Sequence, residues 1–361
     1  MSNFKYLSFE LNGKSHSEYI EVIVRNLPIG YSIDLNEVEN ELLKRRPNGN
    51  TSTSRIEQDQ YDILSGLTNN ITDGNPLVVR IYNKNINKKD YNDIIEIPRP
   101  SHADLVSYLT TGQIESGGGS FSGRLTVGIV FAGAICKQIL KTKGISLYTL
   151  INQIGSVKVN NNYLDRLSSF DISKISENNL PVLNKEDYNL FEEEILKHKA
   201  NNDSCGGSIS TYVVGSPSGL GNAYFDGVES YLSYLIFSIP AVKGVSFGLG
   251  ENFKDKSGSM VNDEIYFADG EFNFYHNYNG GLNGGITNSD QIIINTTFKP
   301  TPTIGIPQRT VNIKTKENIV HTFNGRHDPC IILRGYSVVE NIIAFGILDL
   351  LLLKEVQSCE D

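Results

Sequence analysis

Apolar and polar positions alternate along several stretches of the chain, which is the pattern of half-buried β-strands. Residues 19–27 alternate in this way, and four further short runs are rich in β-branched residues, which favour the extended conformation. We therefore predict strands at residues 19–27, 77–82, 209–214, 291–298 and 309–314.

Helical periodicity lies between these runs. Asp34 is a typical N-cap residue, Glu37 completes a capping box with it, and the helix that follows ends at Pro47. Residues 185–199 are amphipathic and heavily charged, which indicates an outer helix with a solvated face. Other segments are apolar nearly all round, so we predict helices buried between layers at residues 124–141, 226–238 and 338–353.

Separate strands and buried helices favour an α+β layered fold over a regular βαβ series. The chain has 361 residues, a length compatible with one large domain or two ordinary ones. It contains no repeat of roughly 20–50 residues and no Pro/Ser/Gly linker. We therefore predict a single domain over residues 1–361.

The charge balance restricts the partners of the chain. Lys and Arg total 32 against 41 Asp and Glu, a formal net charge of -9, which argues against general affinity for nucleic acid or anionic membrane. The four cysteines form no CxxC pair, so we expect no metal site and reduced, mostly buried thiols. The start of the chain lacks a signal-peptide layout. The near-apolar run at residues 342–353 is too short for a membrane span and contains Asp349, so we expect a cytoplasmic protein.

Two histidines stand in turn-like motifs. His16 follows Ser15 on a glycine turn after a short β-like opening, and His102 follows a proline-rich entry with Asp104 two positions later. Histidine suits proton transfer because its unperturbed pKa of about 6.5 lies near neutrality. Taken singly, each motif is also compatible with an ordinary surface turn.

Residues 117–119 form a triple-glycine loop that leads into a predicted buried helix. Such a loop can bring backbone N–H groups and a helix N-terminus to a phosphate, with Ser122 and Arg124 as further donors. No Gly-Lys-Ser/Thr ends the loop and no βαβ unit surrounds it, so it is neither a Walker loop nor a dinucleotide fingerprint. A flexible hinge is the alternative.

The motifs together, in this order, resemble chorismate synthase from about residue 8 to about residue 350. Further glycine- and proline-rich segments complete the series in the C-terminal half, and each would pass for a turn when read alone. The matching segments are residues 13–17, 45–47 with Arg55, Glu57 and Asp59, 99–104, 117–124, 203–207, 240–244, 280–286, 299–303 and 325–330.

The resemblance implies a lyase that catalyses the last step of the shikimate pathway. Phosphate and a ring hydrogen leave 5-enolpyruvylshikimate 3-phosphate in a 1,4-anti elimination that gives chorismate, with reduced FMN required but no net redox change. The family fold is a β-α-β sandwich with helices between antiparallel sheets, and its members are typically homotetramers. Because no Rossmann fingerprint or added domain is present, we expect dependence on an external source of reduced flavin rather than an NAD(P)H-dependent reductase activity.

Such a substrate and cofactor need concentrated positive charge, and arginine binds carboxylate or phosphate with two donors at once. The resemblance assigns Arg45, Arg46, Arg124 and Arg334 to the substrate. It assigns a larger group to FMN: Ser120, Phe121, Ser122, Pro240, Ala241, Gly284, Lys299, Pro300, Thr301, Pro302, Thr303 and Arg326.

For catalysis, the resemblance makes His16 the proton donor to the departing phosphate and His102 the group that controls protonation of the reduced flavin. Asp328 would act with flavin N5 in removing the C6 hydrogen, and Ser15 and Ser122 would orient these groups. The other histidines are expected to be structural, exposed or turn-forming: His198, His276, His321 and His327.

The chain departs from the family pattern in loops that contact the site, at Lys14, Ser17, Asn48, Thr51 and Phe121. Two other classes of function stay open. A different flavin- or phosphate-binding enzyme would keep the bases and glycine loops, and a silent binding or scaffold relative would be expected to lose His16, His102 or Asp328. The chain retains all three, which favours catalysis.

Overall fold

The computed structural model describes residues 6–46, 51, 58–84, 95–159, 165–177, 180–323, 325 and 327–360. Its strands are β1 Ser8–Asn12, β2 Tyr19–Arg25, β3 Tyr61–Ser65, β4 Leu67–Thr68, β5 Ile71–Thr72, β6 Leu77–Tyr82, β7 Ser146–Ile154, β8 Val157–Lys158, β9 Gly207–Val214, β10 Val242–Phe247, β11 Ile265–Ala268, β12 Glu271–Phe274, β13 Leu282–Asn283, β14 Ile286–Thr287, β15 Ile292–Phe298, β16 Gln308–Val311 and β17 Asn318–His321. Its α-helices are α1 Leu35–Arg45, α2 Asp104–Thr111, α3 Thr126–Thr142, α4 Ser169–Glu177, α5 Lys185–Ala200, α6 Val228–Phe237, α7 Gly258–Val261 and α8 Ile332–Glu360.

Two antiparallel sheets form the outer layers of the main body. The first has the strand order β1-β2-β6-β3 and the second the order β10-β15-β9-β7-β8. In β2 the side chains of Ile20, Val22 and Val24 are buried while their neighbours face outward, so the period-two pattern of the sequence is the pattern of the sheet. The first sheet thus presents one apolar face to the layer between them, whereas the second is buried on both faces: β9 is buried from Ile209 to Val213, and α4 and α5 pack against β7.

Helices α3 and α8 fill that middle layer, and α1 and α6 pack beside them. Two glycines of α3 allow close packing: a Cβ at Gly128 would lie 2.5 Å from Val22 of β2, and one at Gly133 would lie 2.4 Å from Asn341 of α8. The helices are therefore pressed against both a sheet and each other. This sheet–helix–sheet arrangement confirms the predicted α+β fold with helices between antiparallel sheets.

Two helical segments are long and apolar enough to cross a membrane by composition alone. Their most apolar windows, in Gly123–Thr142 and Ile332–Ser358, are 78% and 94% buried inside the fold. The buried carboxylate of Asp349 in α8 accepts backbone N–H groups of Tyr6 and Leu7 at 2.7 and 2.6 Å. These segments are core helices, and α8 also binds the backbone just before β1 through Asp349.

Most predicted elements are confirmed, with several corrections. The predicted strand at residues 309–314 is shorter, and the last buried helix begins earlier than predicted, at Ile332. The capping box is wrong in part: Asp34 caps α1 through the N–H of Asn36, but Glu37 pairs with Lys141 of α3 instead. The expected buried, reduced thiols are confirmed at Cys136, Cys205 and Cys330.

Candidate active site

A cavity of about 660 Å³ opens where the C-terminal end of α1, the N-terminal ends of α3 and α8, and the loops around β10 and β15 meet. Most of the predicted site residues line it. The lining includes Arg45, Arg46, His102, Ser120, Phe121, Ser122, Arg124, Pro240, Ala241, Lys299, Thr301, Pro302, Thr303, Asp328 and Arg334.

The other predicted site residues are not part of this lining. Ser15 and His16 lie directly behind it against the glycine loop, and Pro300 lies within the lining segment 299–303. Gly284 lies in the exposed turn between β13 and β14, away from the cavity lining. Arg326 lies outside the described residues, as do Asn48 and the motif residues Pro47, Arg55 and Glu57.

Three arginines converge on one carboxylate at one end of the cavity. Arg45 Nη1 and Arg46 Nε lie 3.9 and 3.2 Å from Asp59 Oδ2, and Arg124 Nη1 pairs with Asp59 Oδ1. The side chain of Asp59 is fully buried, and it lines the cavity together with the three arginines. Arg45 stands in the last turn of α1, where a cation is favoured by the helix dipole. One negative charge among three positive ones leaves this end of the cavity positive.

Further bases extend the positive charge around the lining. Lys243 lies in β10 and Lys299 directly follows the neighbouring strand β15, and burial, followed by the charge of Lys243, lowers the pKa of Lys299. Arg99 and Lys243 also line the cavity, although the sequence analysis did not assign them to the site; both lie inside matching segments, 99–104 and 240–244. Among the described residues, seven Arg and Lys side chains line the cavity against two Asp side chains.

The glycine loop packs against the His16 turn. Gly117 has φ +63°, and a Cβ there would lie only 2.3 Å from His16 Nε2. The N–H of buried Ser15 donates to the carbonyl of Gly119 at 3.2 Å. The absence of a side chain at Gly117 therefore lets the imidazole reach the wall of the cavity.

An ion pair outside the cavity also connects the His16 turn to the glycine loop. Lys14, one of the departures from the family pattern, pairs with Glu115, and the other oxygen of Glu115 accepts the N–H of Ser120 at 2.9 Å. The bond from Lys14, followed by the one from Ser120, lowers the pKa of Glu115. The unusual Lys14 is thus accommodated by a carboxylate on the glycine loop.

His102 is held from behind by an ion pair. Its Nδ1 lies 2.6 Å from Asp104 Oδ1, and Arg99 binds the same carboxylate. Ser122 Oγ accepts the N–H of Arg124 at 3.3 Å and so caps the turn before α3, and its predicted part in orienting the catalytic groups stays a prediction. The sequence motif contains Asp104 two residues after His102, but its contact with the imidazole was not predicted.

Asp328 lies in the loop before α8 with one oxygen paired to Arg334. Its loop is fixed by the N–H of Cys205, which donates to the Pro329 carbonyl at 2.9 Å. Buried polar atoms are nearly always hydrogen-bonded in native proteins. Around this loop, several buried atoms that belong to cavity-lining residues have no hydrogen-bond partner among the described residues: Asp328 Oδ1, His327 Nε2, Arg334 Nε and Thr301 Oγ1.

These unpaired donors and acceptors, with the surplus of positive charge, suit a polar and anionic ligand. Fold and site together indicate the class of protein: an enzyme with a cavity suited to small anionic molecules. His327, expected only to shape a turn, belongs to this cavity, and burial lowers its pKa.

Comparison with known proteins identifies the family. The chorismate synthase family profile matches residues 7–352. The chain is 39% identical to the chorismate synthase of Pyrococcus abyssi over 355 residues, with 98% of each chain covered, and 36% identical to that of Methanobrevibacter smithii, with 96% and 94% covered. A crystal structure of chorismate synthase superposes with a TM-score of 0.77 at 25% identity, covering 98% of this chain and 93% of the other.

The chain belongs to the chorismate synthase family, as its motifs indicated. It is a lyase that eliminates phosphate from 5-enolpyruvylshikimate 3-phosphate to give chorismate, in the shikimate pathway of aromatic amino acid biosynthesis. The family uses reduced flavin in a reaction that is redox-neutral overall.

Proposed function

We propose that the described cavity is where this chain binds the enolpyruvyl substrate and reduced FMN together. The observation that carries the proposal is the convergence of seven basic side chains, His102 and Asp328 on one cavity of about 660 Å³. That volume lies in the upper half of the roughly 300–1,000 Å³ range of small-molecule sites. Two anionic molecules in one site require such a local surplus of base in a chain with a net charge of -9.

The arginines form the substrate end of the proposed site. Arg45, Arg46 and Arg124 are already held by Asp59, so their guanidinium planes are fixed before a ligand arrives. Fixed forks of this kind bind the two oxygens of a carboxylate or phosphate with little further loss of side-chain freedom. Arg334, which pairs with Asp328 in the same lining, would hold the remaining charge of the substrate.

The residues between the glycine loop and β15 form the proposed FMN end. The structure fits the group in two respects: Lys299 and Lys243 supply positive charge, and Thr301 has a buried hydroxyl with no partner among the described residues. Half-exposed Phe121 offers an apolar wall. The predicted FMN set also includes Ser120, Pro240, Ala241, Gly284, Pro300, Pro302, Thr303 and Arg326. Reduced FMN, when bound, supplies transient electron donation to the substrate.

Proton transfer falls to three side chains in this proposal. His16 stands behind the glycine loop and gives a proton to the departing phosphate. His102 exchanges a proton at the flavin end, and Asp328, beside Arg334, is the carboxylate that takes part in removing the C6 hydrogen of the substrate. Ser15, whose N–H is bonded to Gly119, fixes the His16 turn.

We further propose one domain over residues 1–361, a homotetramer, an external source of reduced flavin and a cytoplasmic location. Exposed aromatic side chains support self-association: Tyr224 and Phe225 are 88% and 95% exposed, and Phe267 and Phe272 of the β11–β12 hairpin are 64% and 74% exposed. The membership of a biosynthetic enzyme family and the burial of both apolar helices support the location.

The test is an anaerobic assay with the enolpyruvyl substrate and chemically reduced FMN that follows chorismate and phosphate together. Wild-type protein should release both at equal rates, and His16→Ala or His102→Ala should lower turnover by roughly 10²- to 10⁴-fold. His276→Ala, which removes a half-exposed histidine outside the cavity, is the matched control and should be unaffected. Near wild-type turnover in correctly folded His16→Ala and His102→Ala proteins would reject the assigned roles.

A further inference from the structure

The imidazole of His102 is held at one nitrogen by a buried ion pair. Nδ1 lies 2.6 Å from Asp104 Oδ1 and 3.1 Å from Arg99 Nη2. Arg99 binds both oxygens of that carboxylate, with Nε 2.7 Å from Oδ2 and Nη2 2.8 Å from Oδ1, and its backbone N–H donates to Oδ2 at 3.0 Å. Asp104 is 2% exposed, so its orientation is fixed from all sides.

The two neighbours of Nδ1 make opposite demands on it. A guanidinium N–H only donates and would need an unprotonated Nδ1, whereas an ionised carboxylate only accepts and needs Nδ1–H. Burial alone would raise the pKa of Asp104, but the hydrogen bonds from Arg99 and His102 hold this pKa well below its usual range. Two lone pairs at 2.6 Å would repel, so the proton lies between Nδ1 and Oδ1.

The opposite edge of the ring faces the glycine loop and the cavity. A Cβ at Gly118 would lie 3.3 Å from His102 Cε1 and 3.5 Å from His102 Nε2, and His102 is part of the cavity lining. With Nδ1 committed to Asp104, Nε2 is the ring nitrogen that remains for proton exchange with a bound molecule.

We propose that Asp104, oriented by Arg99, is a positioning residue that fixes His102 as the Nδ1–H tautomer and thereby presents Nε2 to the cavity. The part of the proposal that concerns turnover rests on the proposed role of His102. The tautomer is a property of the folded chain and is measurable without substrate, flavin or activity.

Asp104→Asn separates charge from shape. Arg99 Nη2 already stands 3.1 Å from Nδ1, so without the carboxylate charge it becomes the donor to Nδ1 and moves the ring proton to Nε2. The lone pair at Nε2 is then lost. We expect kcat to fall by roughly 10²- to 10⁴-fold, the range for a lost general acid–base group or a wrong tautomer. Because Asp104 lies behind His102 and not in the lining, KM for the enolpyruvyl substrate should change by less than about threefold.

A matched control exists on the outer helix α5. Glu194 Oε1 lies 3.3 Å from His198 Nε2, so Glu194→Gln also removes a carboxylate charge beside an imidazole. This pair lies outside the cavity. Glu194→Gln should leave kcat and KM unchanged.

The tautomer is read by magic-angle-spinning NMR of protein labelled with ¹³C,¹⁵N-histidine, a measurement that does not depend on the size of an assembly. The chain has six histidines, and the His102 signals are those lost in the His102→Gln spectrum. For neutral His102, we expect a protonated Nδ1 and an unprotonated Nε2 in the wild type, and the reverse in Asp104→Asn. The same variants are then assayed anaerobically with chemically reduced FMN.

Three results would overturn the proposal: an Nε2–H tautomer in the wild type, an unchanged tautomer in Asp104→Asn, or a switched tautomer with wild-type turnover. If Asp104→Asn does not fold, the wild-type spectrum alone decides the tautomer. If the wild type shows the Nδ1–H tautomer but His102→Gln keeps full turnover, the proposed function of His102 is wrong, whereas the assignment of its tautomer to Asp104 stands.

Discussion

Gly117 lets His16 reach the wall of the cavity, and this contact is testable with a single methyl group. In Gly117→Ala, the new Cβ would lie 2.3 Å from His16 Nε2, 3.0 Å from Cε1 and 3.1 Å from Cδ2. Ordinary contacts begin near 3.4 Å, so the imidazole has to move by about 1 Å. The backbone cannot move with it freely, because the Ser15 N–H is bonded to the Gly119 carbonyl.

A displacement of this size has a calculable effect on rate and stability. Misplacing a catalytic group by about 1 Å lowers turnover by roughly 10²-fold. Alanine at φ +63° also destabilises the fold by about 1–2 kcal/mol, because its Cβ approaches the following carbonyl oxygen. We therefore expect Gly117→Ala to lose about two orders of magnitude in kcat and a modest part of its free energy of unfolding.

Gly112→Ala is the matched control. Gly112 ends α2 with φ +77°, and a Cβ there has no atom within 4 Å. It should show a similar loss in urea unfolding but wild-type kcat in the anaerobic chorismate assay. Wild-type kcat in Gly117→Ala, or an equal loss of kcat in Gly112→Ala, would refute the inference that contact with His16, rather than backbone strain, is responsible.

Three further predictions concern an ion pair beside the site and two buried carboxylates. Lys14→Glu should lower turnover, and the double variant Lys14→Glu with Glu115→Lys should largely restore it. A double-mutant cycle of urea unfolding should give a coupling energy of about 0.2–1 kcal/mol between the two positions, and zero coupling would contradict the Lys14–Glu115 ion pair. Asp349→Ala should lower the free energy of unfolding by roughly 2–4 kcal/mol, because the backbone N–H groups of Tyr6 and Leu7, just before β1, lose the oxygen that accepts from both; an unchanged value would argue against that role. The pKa of Asp104 is lower in the folded chain than the value near 3.9 of an unfolded aspartate, so ionised Asp104 stabilises the fold above that pH and the stabilisation is lost as the pH falls. Stability measured from about pH 5 to pH 2 should therefore fall less steeply in Asp104→Asn than in the wild type.

The hydrophobic pattern predicted strands from alternation and buried helices from segments that are apolar nearly all round. Strand β6 was predicted with its observed bounds, and α3 nearly so. Strand β7, Ser146–Ile154, was missed because three consecutive positions in it are buried and the alternation is broken. Glu37 was misassigned because the competing Lys141 lies on another helix, at a distance that no local pattern contains.

The site could be predicted as a set of motifs but not as a geometry. Sequence order indicated that His16, His102 and Asp328 belong together. It carried no signal that His16 touches Gly117, about a hundred residues away, or that Asp59 is the shared partner of three arginines. Such contacts depend on how the two sheets and the middle helices bring distant loops together. Asp104 alone among these partners could have been found from sequence, because it lies two residues after His102.

The buried carboxylates explain how an acidic chain can build a strongly positive cavity that is still ready to bind. An arginine side chain loses roughly 2 kcal/mol of rotamer freedom when it is fixed. Asp59 fixes three of them, and Asp104 fixes Arg99, as part of folding. A ligand therefore does not bear that ordering cost when it binds. Each carboxylate removes one positive charge from the site, but it converts mobile guanidinium groups into an oriented surface whose donors match the two oxygens of a carboxylate or phosphate.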